Sequence, residues 1–125
     1  MRLGVLGDEW FLSALAMLAE RPALIERLFL TKQVNEEGIY RVKICKNGQW
    51  QVVTVDDYFP CHPKGDPIFS RSTSNELWVL LLEKAFAKLH GSYLQLVART
   101  GFVNEALLDL TGCPSITYDM SDEYV

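Results

Sequence analysis

Cysteine is scarce in this chain and odd in number: Cys45, Cys61 and Cys113 stand far apart, without a CxxC pair. That pattern implies neither a disulfide framework nor a zinc site, and free thiols in a reducing compartment are the expectation. Histidine is scarcer still. His62 and His90 are the only two, and neither stands beside other ligand-type residues at metal spacing. A basic stripe is lacking as well: 12 Lys and Arg are interspersed among 16 Asp and Glu for a net charge of -4, which excludes nucleic acid as a partner. No apolar run approaches the ~18 residues of a membrane span. Met1-Arg2-Leu3-Gly4 opens neither a signal peptide's apolar stretch nor an Arg/Ser-rich transit segment. The expectation is a cytoplasmic protein with no membrane span. Repeats, linkers and low-complexity tracts are also absent.

What is present is apolar substance: 49% of the 125 residues are hydrophobic. One domain with its own core is expected, burying roughly two thirds of the surface its unfolded chain exposes. Asp8 precedes the Ala/Leu-rich run Glu9 to Glu20 as a helix N-cap would, predicting a helix over 8–20. The run is apolar nearly all round, so this helix is expected to be central and buried. Pro22 suits the first turn of a second helix that continues from Ala23 to Leu30, with Ile25 and Leu28 inward and Glu26 and Arg27 outward.

Ile39 to Ile44 alternates with period two, Lys46-Asn47-Gly48 supplies the positive φ angles of a tight hairpin, and Gln49 to Val55 returns as the partner strand. From Asp56 to Ser72, Pro60, Pro63, Gly65, Asp66 and Pro67 predict a long irregular loop. Thr73-Ser74-Asn75-Glu76 has the form of a capping box ahead of a helix from Leu77 to Leu89, stopped by His90-Gly91. Two short helices are expected at Ser92 to Ala98 and at Asn104 to Leu110, the second capped by Asn104 and ended by Gly112. Trp10, Trp50 and Trp78 are expected in the core, and Glu83, Lys84 and Lys88 on a solvated helix face. Asp56 and Asp57, adjacent on a strand, point to opposite faces and do not share acid/base work.

Laid over these elements, Leu6-Gly7-Asp8-Glu9-Trp10-Phe11-Leu12-Ser13-Ala14 resembles the calpain active-site motif, in which L-G-D-C-W-F/L-L opens the catalytic helix. The residue that differs is the cysteine. Gly48-Gln49-Trp50 with Val52 to Pro60 resembles the family's G-x-W-x-x-V-x-V-D-D-x-x-P hairpin. Glu76 to Tyr93 resembles its E-x-W-x-x-L-x-E-K-A-x-A-K-x-x-G-S-Y helix, and Leu110-Thr111-Gly112 its terminal T-G. Ala19-Glu20-Arg21-Pro22 and His90-Gly91-Ser92-Tyr93 are similar to the small optic lobes branch.

The resemblance implies an α+β, mainly helical fold: residues 1–125 as the first subdomain only of a papain-like calpain protease core, with a central buried helix and a small antiparallel hairpin sheet. The second subdomain, which carries the family's histidine and asparagine, is not matched, and neither His62 nor His90 fits that histidine. Glu9 then stands at the cysteine position and Leu3 at that of the oxyanion glutamine. A carboxylate is a weak nucleophile towards an amide, and Leu3 has no donor to offer; losing such a donor alone costs roughly 10²- to 10³-fold. In the first turn of a helix, by contrast, Glu9 gains on the order of 0.3–1 kcal/mol from the helix dipole.

Calcium is the family's ion, and Glu76 falls on one of its ligands, but an ion needing about six to eight oxygens is not held by Glu76 alone. No cofactor is therefore expected. The implied function is a binding or regulatory module that docks a calpain second subdomain or another calpain chain. The alternative is a fragment or altered copy of an active calcium-dependent cysteine endopeptidase whose second subdomain is supplied elsewhere.

Overall fold

A computed structural model describes residues 9–61, 63–65, 77–98 and 102–121. Among these the chain forms α1 (Glu9–Ala19), α2 (Pro22–Glu26), β1 (Ile39–Lys46), β2 (Gln49–Asp56), α3 (Leu77–His90), α4 (Tyr93–Ala98) and α5 (Val103–Thr111). The expected α+β, mainly helical architecture with a small antiparallel sheet is the one observed.

Asn47 and Gly48, at φ 52° and 76°, form the corner that turns β1 into β2, and their left-handed backbone matches the twist of the strands they join. The antiparallel register runs from Lys46 opposite Gln49 to Ile39 opposite Asp56. Period-two alternation sends Tyr40, Val42, Ile44, Val53 and Val55 into the core. There they meet Phe11, Leu12 and Leu15 of α1, Leu82 and Phe86 of α3, and Ala106 and Leu110 of α5. Each fully buried side chain of this size contributes about 1.5–3 kcal/mol relative to exposure.

Several expectations are corrected. The second helix ends at Glu26 instead of continuing to Leu30, because the backbone beyond it is taken up by the sheet. Lys43 N–H donates to Leu28 C=O at 2.8 Å, Leu30 N–H donates to Arg41 C=O at 2.9 Å, and Phe29 bridges to Val42. Those bonds cover the outer edge of β1, which would otherwise stand open. The central helix is not buried all round. Phe11, Leu12, Ala14, Leu15 and Leu18 are buried, but Glu9, Ser13, Ala16 and Met17 recur at helical spacing along an exposed stripe.

Trp10 and Trp78 are half-buried against the core as expected, whereas Trp50 is 43% exposed. Strand alternation explains this: Trp50 shares its face with Val52 and Thr54, opposite to Val53 and Val55. Its indole lies across Cys45, its cross-strand partner, and against Gly112. A β-carbon at Gly112 would stand 3.0 Å from the Trp50 ring, and φ is +74° there, so glycine is required both as the α5 cap and for the close approach.

Asn104 does not cap α5. Phe102 holds the extended N-cap position without a side-chain bond, and the Asn104 amide donates instead to Thr117 Oγ1 at 3.1 Å. Glu83 is not solvated but buried, 1% exposed, on the inner side of α3. The helix-capping roles of Asp8 and of Thr73 to Glu76 lie outside the described residues.

Candidate functional site

Position 9 opens α1, and the Glu9 side chain is exposed. The residues after it are fixed from two sides. Trp10 is half-buried, and its indole N–H donates to Leu96 C=O of α4 at 3.3 Å. Phe11, fully buried, stacks on Phe86 of α3 with centroids 4.4 Å apart. Phe86 also takes the edge of Trp10 at 5.8 Å and lies against the His90 ring at 4.3 Å. Aromatic pairs of this kind are worth about 0.5–1.5 kcal/mol each beyond the area they bury. The helix tip therefore presents whatever side chain stands at position 9 from a rigid base.

The groups that could join it in chemistry lie on other elements. Cys45 is buried on β1, while Cys61 and Cys113 are exposed, the first donating its thiol to Phe59 C=O at 3.2 Å. His90 Nδ1 lies 2.8 Å from Phe86 C=O, one turn back on α3; a carbonyl only accepts, so Nδ1 carries the proton. Leu3, His62 and Glu76 lie outside the described residues. Among the described residues no group of three or more His, Cys, Asp or Glu is placed to hold a metal ion. A groove of about 260 Å³ opens between α2 and the start of α3, lined by Ile25, Phe29, Val34, Tyr40, Trp78 and Leu81 among others. None of its lining residues belongs to α1.

Two ion pairs organise the polar surroundings. Lys46 Nζ lies 3.0 Å from Asp109 Oδ2, whose side chain is only 8% exposed, and Arg27 donates to Thr111 C=O at 2.7 Å. Together they fasten the end of α5 to the hairpin and to the residue after α2. The sequence holds one signal for the first of these: Asp109 interrupts the apolar face that Ala106 and Leu110 build on α5. On the far side, Lys84 bonds the Asp56 carboxylate and Tyr58 C=O and lies over the Phe59 ring, and Lys88 donates to Thr54 C=O at 2.7 Å. Asp57 turns the other way, against Gly38, so the two aspartates share nothing. These lysines hold the exit of β2 against α3.

The Lys84 ammonium beside Asp56, helped by the Tyr58 N–H, holds that carboxyl below its ordinary range. A lowered carboxylate contributes stability that is present above its unfolded value near pH 4 and is lost as pH falls through the folded value. Asp119 is lowered too, by the hydroxyl and N–H of Ser121. Acid titration of the urea midpoint should therefore fall below about pH 4, and Lys84→Met should flatten the Asp56 part of that fall while leaving the Asp119 part. An unchanged acid limb in Lys84→Met would refute the pairing.

Compared with known proteins, residues 1–124 match the family described as calpain family cysteine protease. The calpain-type cysteine protease ADL1 of Oryza sativa subsp. japonica is 52% identical over 118 residues, 94% of this chain and 5% of ADL1. Calpain-14 of Homo sapiens is 39% identical over 125 residues, 97% of this chain and 18% of that protein. Calpain-10 of Mus musculus is 39% identical over 128 residues, 98% of this chain and 19% of that protein. The chain thus spans between a twentieth and a fifth of these curated relatives. With the family match running almost end to end, on a fold of the expected class, this chain belongs to the calpain family of cysteine proteases.

Proposed function

We propose that this chain is a non-catalytic calpain-type first subdomain that works by binding a partner: a calpain second subdomain or another calpain chain. One observation carries the reading. At the rigid, exposed tip of α1, where the motif it resembles has cysteine, the residue is Glu9. Thiol proteolysis requires a thiolate whose pKa is lowered by its surroundings, an imidazole to exchange its proton, and donors for the oxyanion. A carboxylate supplies none of these, and an acyl carboxylate is a better leaving group than an amine, so transfer to it runs backwards. Leu3, at the oxyanion glutamine position, deepens the deficit. The reading includes independence of calcium and residence in the cytoplasm.

A second reading, from the enzyme class, is favoured by the small share of each relative that the chain covers: it is a portion or altered copy of an active endopeptidase completed by a second subdomain. One experiment separates them. The purified chain and its Glu9→Cys variant are each mixed with a calpain second subdomain and calcium, and hydrolysis of a fluorogenic peptide is followed. The expected outcome is binding without turnover for the unaltered chain. Turnover for Glu9→Cys should stay on the order of 10²- to 10³-fold below a complete calpain core, because Leu3 still lacks the donor. Turnover by the unaltered chain that iodoacetamide abolishes would sink the proposal.

A further inference from the structure

Two unlike surfaces of this chain match each other. The first is the outer face of the sheet. Trp50 is 43% and Val52 60% exposed, and the indole ring has the Arg27 guanidinium at 5.6 Å and the Lys43 ammonium at 5.5 Å. Arg41 is exposed on the same face, one alternation along β1 from Lys43. Among the described residues the ion pairs are Lys46 with Asp109 and Lys84 with Asp56, and none of their carboxylates pairs with Arg27, Arg41 or Lys43. The result is a basic, aromatic surface on a chain whose net charge is -4.

The second surface belongs to α5 and the extended segment after it. Phe102 is 68%, Ile116 78%, Tyr118 67% and Met120 84% exposed, with Glu105 and Asp119 exposed among them. Asp109 of α5 is buried and paired with Lys46 and so takes no part in this surface, but from residue 100 onward the sequence holds no Lys or Arg at all to offset Glu105 and Asp119. This surface is apolar and acidic. Contiguous exposed apolar side chains rimmed by charge are the mark of an interaction surface.

Within one copy the two surfaces lie at opposite ends of α5. Gly112, at the end of α5, abuts Trp50, but the segment beyond it runs back along the helix, where Thr117 accepts the Asn104 amide at the opposite end. Nine helical residues separate those ends by about 13 Å. We propose that the acidic apolar surface of one copy docks on the basic aromatic surface of a second copy. Apolar contact between Val52 or Trp50 and Tyr118 or Met120 supplies the driving force, while the charges around them set orientation and exclude the reverse pairing. This interface is separate from the α1 tip and stands or falls independently of the binding role proposed for that tip.

Sedimentation of the full 125-residue chain over a range of concentrations tests it. The average mass should rise with concentration, and association should weaken as salt goes from ~0.1 M to ~1 M, where the screening length falls from about 10 Å to about 3 Å. Lys43→Glu and Asp119→Lys, each verified as folded by circular dichroism, should each weaken association about five- to ten-fold. An equimolar mixture of the two variants should recover it, since the acid placed on one surface faces the base placed on the other. A chain that stays monomeric at every concentration, an association indifferent to salt, or a mixture no tighter than its components would overturn the proposal.

Discussion

Truncating Phe86 to alanine is expected to remove about 3–5 kcal/mol of stability, a large part of the roughly 5–15 kcal/mol that holds a domain of this size together. The ring is 1% exposed and is shared by three neighbours: Phe11 stacked on it, Trp10 edge-on, and His90 beside it. Its loss leaves a void that neither helix can close, because α1 is fixed by the Trp10 bond to Leu96 and α3 by Lys84 and Lys88 against the exit of β2. Urea unfolding should show the midpoint falling with the slope unchanged, and the near-ultraviolet dichroism of the aromatic cluster should collapse. Phe86→Leu, which keeps most of the volume, should cost less than about 1.5 kcal/mol. A Phe86→Ala loss under about 1 kcal/mol would mean that the cluster does not bear on α1 as described.

Asp109→Ala should be the costliest polar substitution among those with a clear structural partner, at about 1–3 kcal/mol. Its carboxylate is the sole ion-pair partner of Lys46 among the described residues and is nearly inaccessible to water. Removing it leaves an ammonium, about a quarter exposed, beside the turn of the hairpin without its counter-charge. The same argument predicts the remedy: Lys46→Met combined with Asp109→Leu should recover most of the loss, because the cost lies in stranding one charge and not in lacking the pair. A double-mutant cycle read from urea midpoints measures the coupling. Additive single effects, with no recovery in the double variant, would contradict the pairing.

The elements whose cause is local were legible in the sequence. Asn47-Gly48 dictates its turn by backbone sterics alone, and Gly112 ends α5 for the same reason. Positions decided by what packs across the fold were not. Nothing between Ala23 and Leu30 announces that the backbone of Leu28 and Leu30 is claimed by β1, so helical spacing overstates the length of α2. Trp50 is a core residue by type, but the alternation of its own strand, with Val53 and Val55 inward, assigns it outward. The charge of Glu83 argues for solvent, but its helical neighbours Val79, Leu82 and Phe86 are all buried and it follows them inside. At the candidate site, the identity of Glu9 follows from the chain itself, whereas its exposure and the aromatic clamp beneath it, which joins residues from three helices, have no local signature.

Two fasteners join residues very distant along the chain: Trp10 to Leu96, 86 positions apart, and Arg27 to Thr111, 84 apart. During synthesis the α1 segment would leave the ribosome long before the residues that clasp it exist, and its apolar side would wait uncovered for most of the translation of this region. A chain stalled or cleaved before Leu96 would therefore emerge as a sticky client for chaperones and proteases instead of a smaller folded unit.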